Sequence, residues 1–429
     1  GAGYADAVCS NNCWGILTIA SSISTTGSGS IIVNGVGGGN GGTTFNSGMQ
    51  LTNGTTVTSI DGDISVTGKV IETGSGAGAI VLANNSSLTT SGSGNINLTQ
   101  VGNLGFGFLA YGSTSTVNSD HNLIYTAKSF DPTTAQYTWS ATNNITIQPN
   151  AVGGTVGVGS MGGTLAVGDL LLNKMSAPTF NFGSATSGLV AISTAHDFGN
   201  SQVNVRSGAD ISIGSLTKAS GTGAANYTFK ANGDIVQSGA VKATSGVINV
   251  TLNSDTDEIG GGAIALGSGA VIESNGGNIA LGGGTAGDGS GNAVGNATNT
   301  VGVNLTTATV NAAGGNIAIR GTGYAGSGNY NNGVRQSGGS ISTTGAGTIT
   351  ASGTGGAGTG ASNTNVGVIV QAGGSITGGS AGATLVTGTG GSSQGNSNMG
   401  VQVTGANSKI TSSGGAVSVT GTGGGTGAS

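Results

Sequence analysis

The stretch "VGVNLTTATVNAAGGNIAIRGTG" (Val301–Gly323) contains three short runs in which apolar residues alternate with small or polar ones, around Val303, Val310 and Ile317. Alternation sends successive side chains to opposite faces of a strand, so Ile317 and Ile319 share one face while Ala318 and Arg320 share the other. The three runs recur. Val303, Val334, Val368 and Val401 follow one another at intervals of 31, 34 and 33. A second column, Val310, Ile341, Ile376 and Ile410, is spaced by 31, 35 and 34, and a third, Ile317, Ile349, Leu385 and Val417, by 32, 36 and 32. Longer polar stretches such as "GTGGAGTGASNTN" separate one triplet of runs from the next.

Three short strands per repeat, joined by Gly-rich corners, describe one coil of a three-sided β-solenoid. A single coil cannot bury its own apolar face, and stacking turns each apolar position into a ladder that fills the interior. A β-sandwich explains the alternation but not three columns with a nearly constant period. The expected fold is therefore all-β: a parallel β-solenoid, elongated as a rod. "SISTTGSGSIIVNGVGG" at Ser22–Gly38 and "SISTTGAGTITASGTGG" at Ser340–Gly356 agree at 11 of 17 positions, and read as the same part of a coil written twice.

Regularity divides the chain into three parts. Residues 1–102 use the same vocabulary in coils of varying length and carry Cys9 and Cys13; residues 261–429 hold the regular repeats. Residues 103–260 are irregular, containing all three prolines (Pro132, Pro149, Pro178), both histidines and 12 of the 17 aromatics. Proline is poorly tolerated in a central strand, which predicts side loops or irregular coils there. The aromatics read as filling of a wider core in preference to a ligand-binding face.

Composition narrows the function classes. Of 429 residues 91 are Gly and 6% are charged, yet the glycines have no three-residue period and the β-branched content is too high for a disordered chain. The net charge of −5 is thinly spread, so no basic patch is available for nucleic acid. No apolar run is long enough to form a transmembrane helix, which needs roughly 18 residues or more. No secretory signal opens the sequence, which predicts a processed chain or a piece of a longer one.

The run "ANYTFKANGDIVQSGAVKATSGVINVTLNSDTDEIGGGAIALGSGAVIESNGGNIALGGG" (Ala225–Gly284) resembles the filamentous-haemagglutinin-like adhesins that bacteria export by two-partner secretion. The resemblance is clear over this run and mainly compositional elsewhere. It implies a right-handed parallel β-helix outside a Gram-negative-type cell, with repeats that act as scaffold and supply no catalytic site. The secretion domain of that family is not evident in the sequence.

Chemistry-bearing residues are few. Polysaccharide-cleaving β-helices need grouped carboxylates, and "DTDE" with Asp255, Asp257 and Glu258 is the tightest acidic group here. Asp255 and Asp257 are a weak calcium candidate, and a solvated turn is the plainer reading. "GGGTAGDGSG" (Gly282–Gly291) is a lone, faint likeness to a calcium-binding repeat. His121 and His196 sit in no metal or triad motif. No catalytic residue, no metal site and no cofactor is expected, and the chain is read as not an enzyme. Cys9 and Cys13 in "CSNNCW" are expected to form a local disulfide. Thr322, Thr354, Thr389 and Thr422 make a further column, read as a hydroxyl ladder beside the connecting loops.

The leading expectation is an extracellular structural and adhesive β-solenoid at a bacterial cell surface. The sequence stops inside a repeat, which predicts open strand edges that pair with copies of the chain by axial stacking or with further β-helix of the same chain. A neutral surface of Ser, Thr, Asn and Gly suits weak multivalent contact with glycans or neighbouring cell surfaces. The alternatives are a carbohydrate-binding or carbohydrate-active β-helix and an ice- or mineral-binding solenoid.

Overall fold

The structure, a computed structural model, describes residues 13–38, 46–71, 77–130, 136–358 and 362–425. Strands account for nearly all of the regular structure, and the strand pairs of every face are parallel. The only α-helix among the described residues is the single turn Asp169–Leu172. The chain divides into two compact units, Gly1–Gly188 and Leu189–Ser429, so the boundary falls inside the segment 103–260 that the sequence marks as irregular.

Each unit is a parallel β-solenoid. In the first, strands Ile16–Ile19, Ser47–Thr52, Gly78–Ala83 and Phe106–Tyr111 stack into one face. A second face runs from Ser22–Ser24 to Met175–Ser176 through six strands, and a third from Ile31–Gly37 to Thr179–Gly183, also through six. In the second unit the first face carries eight strands from Val190–Ser193 to Val401–Thr404, and the second carries seven from Leu216–Lys218 to Lys409–Ser412. Its third face stacks eight, from Gln202–Ser207 to Val417–Thr422. Parallel neighbours require the chain to travel round the other two faces before it returns, which sets the long repeat read in the sequence.

The alternation translates directly into burial. Ile317–Thr322 reads buried–half-buried throughout, and Ile64–Val70 alternates in the same way in the first unit. Val190, Ile211, Ile235, Ile264, Val303, Val334, Val368 and Val401 are successive Cα partners along the first face. Leu216, Val241, Ile272, Val310, Ile341, Ile376 and Ile410 line the second in the same way. Corners between these two faces turn through left-handed backbone, which is why Gly338 and Gly339, both at φ 66°, stand there.

The corner between the third and first faces brings backbone against backbone. Gly321, Gly353, Gly388 and Gly421 form a register column near the end of the third face. A Cβ on Gly321 would collide with the carbonyl oxygen of Gly333, one on Gly353 with that of Gly367, and one on Gly388 with that of Gly400. The first unit repeats the device, with Gly35 against the carbonyl of Gly48 and Gly68 against that of Ala79. The third and first faces thus meet backbone on backbone.

That contact corrects one expected core residue. Counting back from Gly388, the interior position shared with Ile317 and Ile349 falls on Thr384, and Val417 follows it. Leu385 pairs with Thr350 and Ser418 on the outward side and is 40% exposed. Thr384 is fully buried and its hydroxyl has no hydrogen-bond partner.

The aromatics of the irregular segment do fill a core. Phe108, Tyr125, Phe130, Tyr137 and Trp139 are all buried, with the centroids of neighbouring rings between 4.5 and 6.0 Å apart. Pro149 ends the strand Asn144–Pro149 and Pro178 immediately precedes Thr179–Gly183, positions that need no interior N–H donor. Pro132 lies outside the described residues. Lys218, fully buried, donates from Nζ to Ser220 O at 2.6 Å, Gly221 O at 2.5 Å and Asn200 Oδ1 at 3.1 Å, tying together the turn that follows its strand.

Two substitutions separate corner from core. Gly353→Ala places a methyl group against a carbonyl that cannot move without its sheet, and is expected to cost roughly 3 kcal/mol. Thr384→Val removes an unpartnered buried hydroxyl at constant shape and is expected to stabilise by about 1 kcal/mol. Urea denaturation of both variants checks the pair, and a neutral Gly353→Ala would show that the corner is loose.

Candidate functional site

The second unit carries polar ladders that run from coil to coil, one buried and the others exposed. The motif Asn-x-Asn recurs as Asn329-Tyr330-Asn331, Asn363-Thr364-Asn365 and Asn396-Ser397-Asn398, just before each first-face strand. Its middle residue is left-handed each time, at φ 64°, 60° and 62°. This kink turns one asparagine of each pair inward and leaves the other out. In the buried ladder the Asn331 N–H donates to Asn365 Oδ1, and the Asn365 N–H to Asn398 Oδ1, each at 3.0 Å. In the exposed ladder the direction reverses, with Asn363 N–H donating to Asn329 Oδ1 at 2.7 Å and Asn396 N–H to Asn363 Oδ1 at 2.6 Å.

A third ladder marks the start of the third face. Asn278 N–H donates to Asn249 Oδ1, Asn316 N–H to Asn278 Oδ1 and Thr348 N–H to Asn316 Oδ1, each at 2.9 Å. In the first unit Asp63 Oδ1 accepts from the backbone N–H of Asn95 at 2.7 Å, so Asp63 is the foot of a comparable ladder. These ladders escape a search for apolar columns. A search for Asn at the repeat spacing finds them, because Asn329, Asn363 and Asn396 recur with the period of the coil.

The residues singled out for chemistry are dispersed. Asp255 is 4% exposed, at φ 50°, and its Oδ1 has no hydrogen-bond partner. Burial, followed by the charges of Asp257 and Glu258, pushes its carboxyl up to about 6. Asp257 Oδ1 instead accepts the Ile259 N–H at 3.2 Å, as a solvated turn residue does. Beside them Arg206 donates to Thr256 Oγ1 and Asn232 Oδ1. Among the described residues no group of three or more His, Cys, Asp or Glu is placed to hold a metal ion. In the faint calcium-like loop, Asp288 Oδ1 accepts the Ser290 N–H at 2.9 Å, a local turn bond.

His121 Nδ1 lies 2.8 Å from Asn95 Oδ1, within the polar ladder of the first unit, and the His196 ring packs edge-on against Phe198 at 4.7 Å. Cys13 is 7% exposed and disulfide-bonded, while Cys9 lies outside the described residues. No helix among the described residues is long and apolar enough to cross a membrane.

Thr322, Thr354, Thr389 and Thr422 are consecutive Cα partners, and Thr387 and Thr420 stand in register two residues before the last two. The glycines on either side of Thr322, Thr354 and Thr389 are buried while these threonines are half-buried or exposed, so the hydroxyl is turned out at the corner.

The coil Val401–Thr422 differs from those before it. Its strands have no partner on one edge among the described residues. Val403, Val417 and Val419 are 46%, 43% and 49% exposed, whereas their partners Val370, Thr384 and Val386 are buried.

No family model, no curated protein and no solved structure matches the chain.

Asn365→Ala leaves the buried Asn331 N–H without its acceptor and is expected to cost about 2 kcal/mol, against less than about 1 kcal/mol for the exposed Asn363→Ala. Thermal denaturation of the two variants discriminates a structural ladder from surface decoration. Asp255 gives a pH signature. Its folded pKa lies above the unfolded value near 4, so the native state holds the proton more tightly and stability falls as pH rises from about 4 to about 6. Because Asp257 and Glu258 are screened by solvent, the loss is on the order of 1 kcal/mol. Asp255→Asn should flatten that part of a stability–pH curve; an unchanged curve would remove Asp255 as its source.

Proposed function

We propose that the chain is an extracellular structural and adhesive β-solenoid of a bacterial surface, of the filamentous-haemagglutinin-like kind, and that its coils extend axially, by stacking of a second copy or through further β-helix of the same chain. The observation that carries this reading is the unbroken parallel register of the second unit, in which one interior column runs from Val190 to Val401 and another from Leu216 to Ile410, coil upon coil.

The repeated phrase says which coil fits. Ser340–Ser342 and Ile349–Thr354 occupy the second and third faces of their unit, and Ser22–Ser24 and Ile31–Gly37 occupy the same faces of theirs. Ile31, Val33, Gly35 and Gly37 therefore correspond to Ile349, Ala351, Gly353 and Gly355. Ile349 and Gly353 stack on Ile317 and Gly321. A second copy would repeat that arrangement with Ile31 over Val417, Val33 over Val419 and Gly35 over Gly421. The contact is head-to-tail and does not close, so it yields filaments.

The test is electron microscopy and sedimentation of the 429-residue chain without ligand. Fibres whose axial repeat is one chain length are expected, and Val419→Lys should leave single particles, since stacking would bury its ammonium group. Val419 is half-exposed, so the variant should fold normally. A wild-type chain that stays monodisperse at all concentrations would overturn axial stacking.

A further inference from the structure

The loop between Gly283 and Val303 folds back against the first face of the second unit. Its anchor is Asp234, 9% exposed. Asp234 Oδ1 accepts the Ala263 N–H and Asn296 Nδ2, both at 2.7 Å, and Oδ2 accepts Asn299 Nδ2 at 2.6 Å. Asn296 Oδ1 in turn accepts the N–H groups of Thr298 and Asn299, at 2.9 and 2.8 Å. The turn is thus tied to one buried carboxylate, both of whose oxygens accept hydrogen bonds.

Beside this turn is a shallow polar depression of about 190 Å³, lined by Thr298, Asn299, Thr300, Val301, Asn304 and Arg335. Arg335 is half-buried and donates from Nε to Asn304 Oδ1 at 3.0 Å. Among the described residues its two terminal nitrogens have no hydrogen-bond partner. Burial alone lowers its pKa, with no carboxylate acting on it. A guanidinium keeps its charge under such conditions, and its free fork matches the two oxygens of a carboxylate.

We propose that this depression binds an acidic sugar, a uronic acid residue of a glycan, through its carboxylate. Arg335 Nη1 and Nη2 grip the carboxylate, and the hydroxyls of Thr298 and Thr300 with Asn299 Oδ1 and Asn304 Nδ2, the amide atoms not engaged within the turn, meet the ring hydroxyls. The volume suits one ring and is below that of a typical drug-sized site. The site lies within one chain and does not depend on axial stacking.

The test is ligand-observed saturation-transfer NMR with calorimetry on the full chain, using glucuronate, glucose and acetate as probes. Glucuronate should bind in the millimolar range and more weakly as salt is raised, with acetate at least about tenfold weaker and glucose silent. Arg335→Gln should abolish binding while leaving the far-ultraviolet spectrum and the melting transition unchanged, and Arg335→Lys should retain a reduced part of it. Glucuronate binding that survives Arg335→Gln, or no binding at all, overturns the site. Acetate binding as tightly as glucuronate overturns the sugar and leaves a bare anion site.

Discussion

The contact between backbone and backbone at the glycine corner governs the rest of the second unit. Gly353 and Gly388 leave room for the carbonyls of Gly367 and Gly400, so strands of the third and first faces approach without intervening side chains. A hydrogen-bonded parallel strand cannot slide without breaking its ladder on both sides, and here it is also locked against the neighbouring face. Register is therefore set once per coil at the corner, and alternation carries it along the strand in both directions. The Gly35 and Gly68 corners show that the first unit uses the same lock.

The strand Thr384–Thr389 shows how strongly that lock acts. A slip of one residue would bury Leu385 and release the Thr384 hydroxyl, two gains of roughly 1–3 kcal/mol each. The slip would also bring a threonine to the corner, where its Cβ would meet a carbonyl oxygen. The structure keeps glycine at the corner, exposes Leu385 and buries an unpartnered hydroxyl. Hydrophobic burial, the strongest general force in folding, yields locally to a hard steric contact.

That ordering of forces explains what can be read from the residues alone. The solenoid and the first two apolar columns are legible because Val and Ile recur with the period of a coil. The third column misleads at Leu385, since the eye follows the larger apolar residue; counting back from the first glycine of "GTG" gives Thr384. The Asn-x-Asn ladders escape notice because asparagine passes for loop filler in a chain this polar, although the left-handed middle residue and the spacing carry a definite geometry. Between 103 and 260 the period is hidden twice over: a cluster of five aromatic rings interrupts the aliphatic columns between Phe108 and Trp139, and the coils that follow one another at Val190, Ile211 and Ile235 are shorter than the later ones. The pairing of Asp234 with Asn296 and Asn299, which lie two coils further along the chain, has no local signature at all.

A solenoid can accept an insertion only where its backbone is not committed to a ladder, which means at the corners. The stretch from Gly283 to Val303 is the longest such connection between the third and first faces of the second unit. Closing a longer loop adds little to the entropy lost, but holding it in one shape requires anchors of its own. Asp234 supplies them, buried and with both oxygens satisfied. If the insertion merely joined two coils, a buried carboxylate would be an unfavourable way to order it, since burying a charge needs full compensation. Its presence is intelligible when the ordered turn serves as one wall of a polar depression whose other wall holds a guanidinium with its fork unengaged. The repeating interior makes the scaffold, and the departure from repetition makes the candidate recognition site.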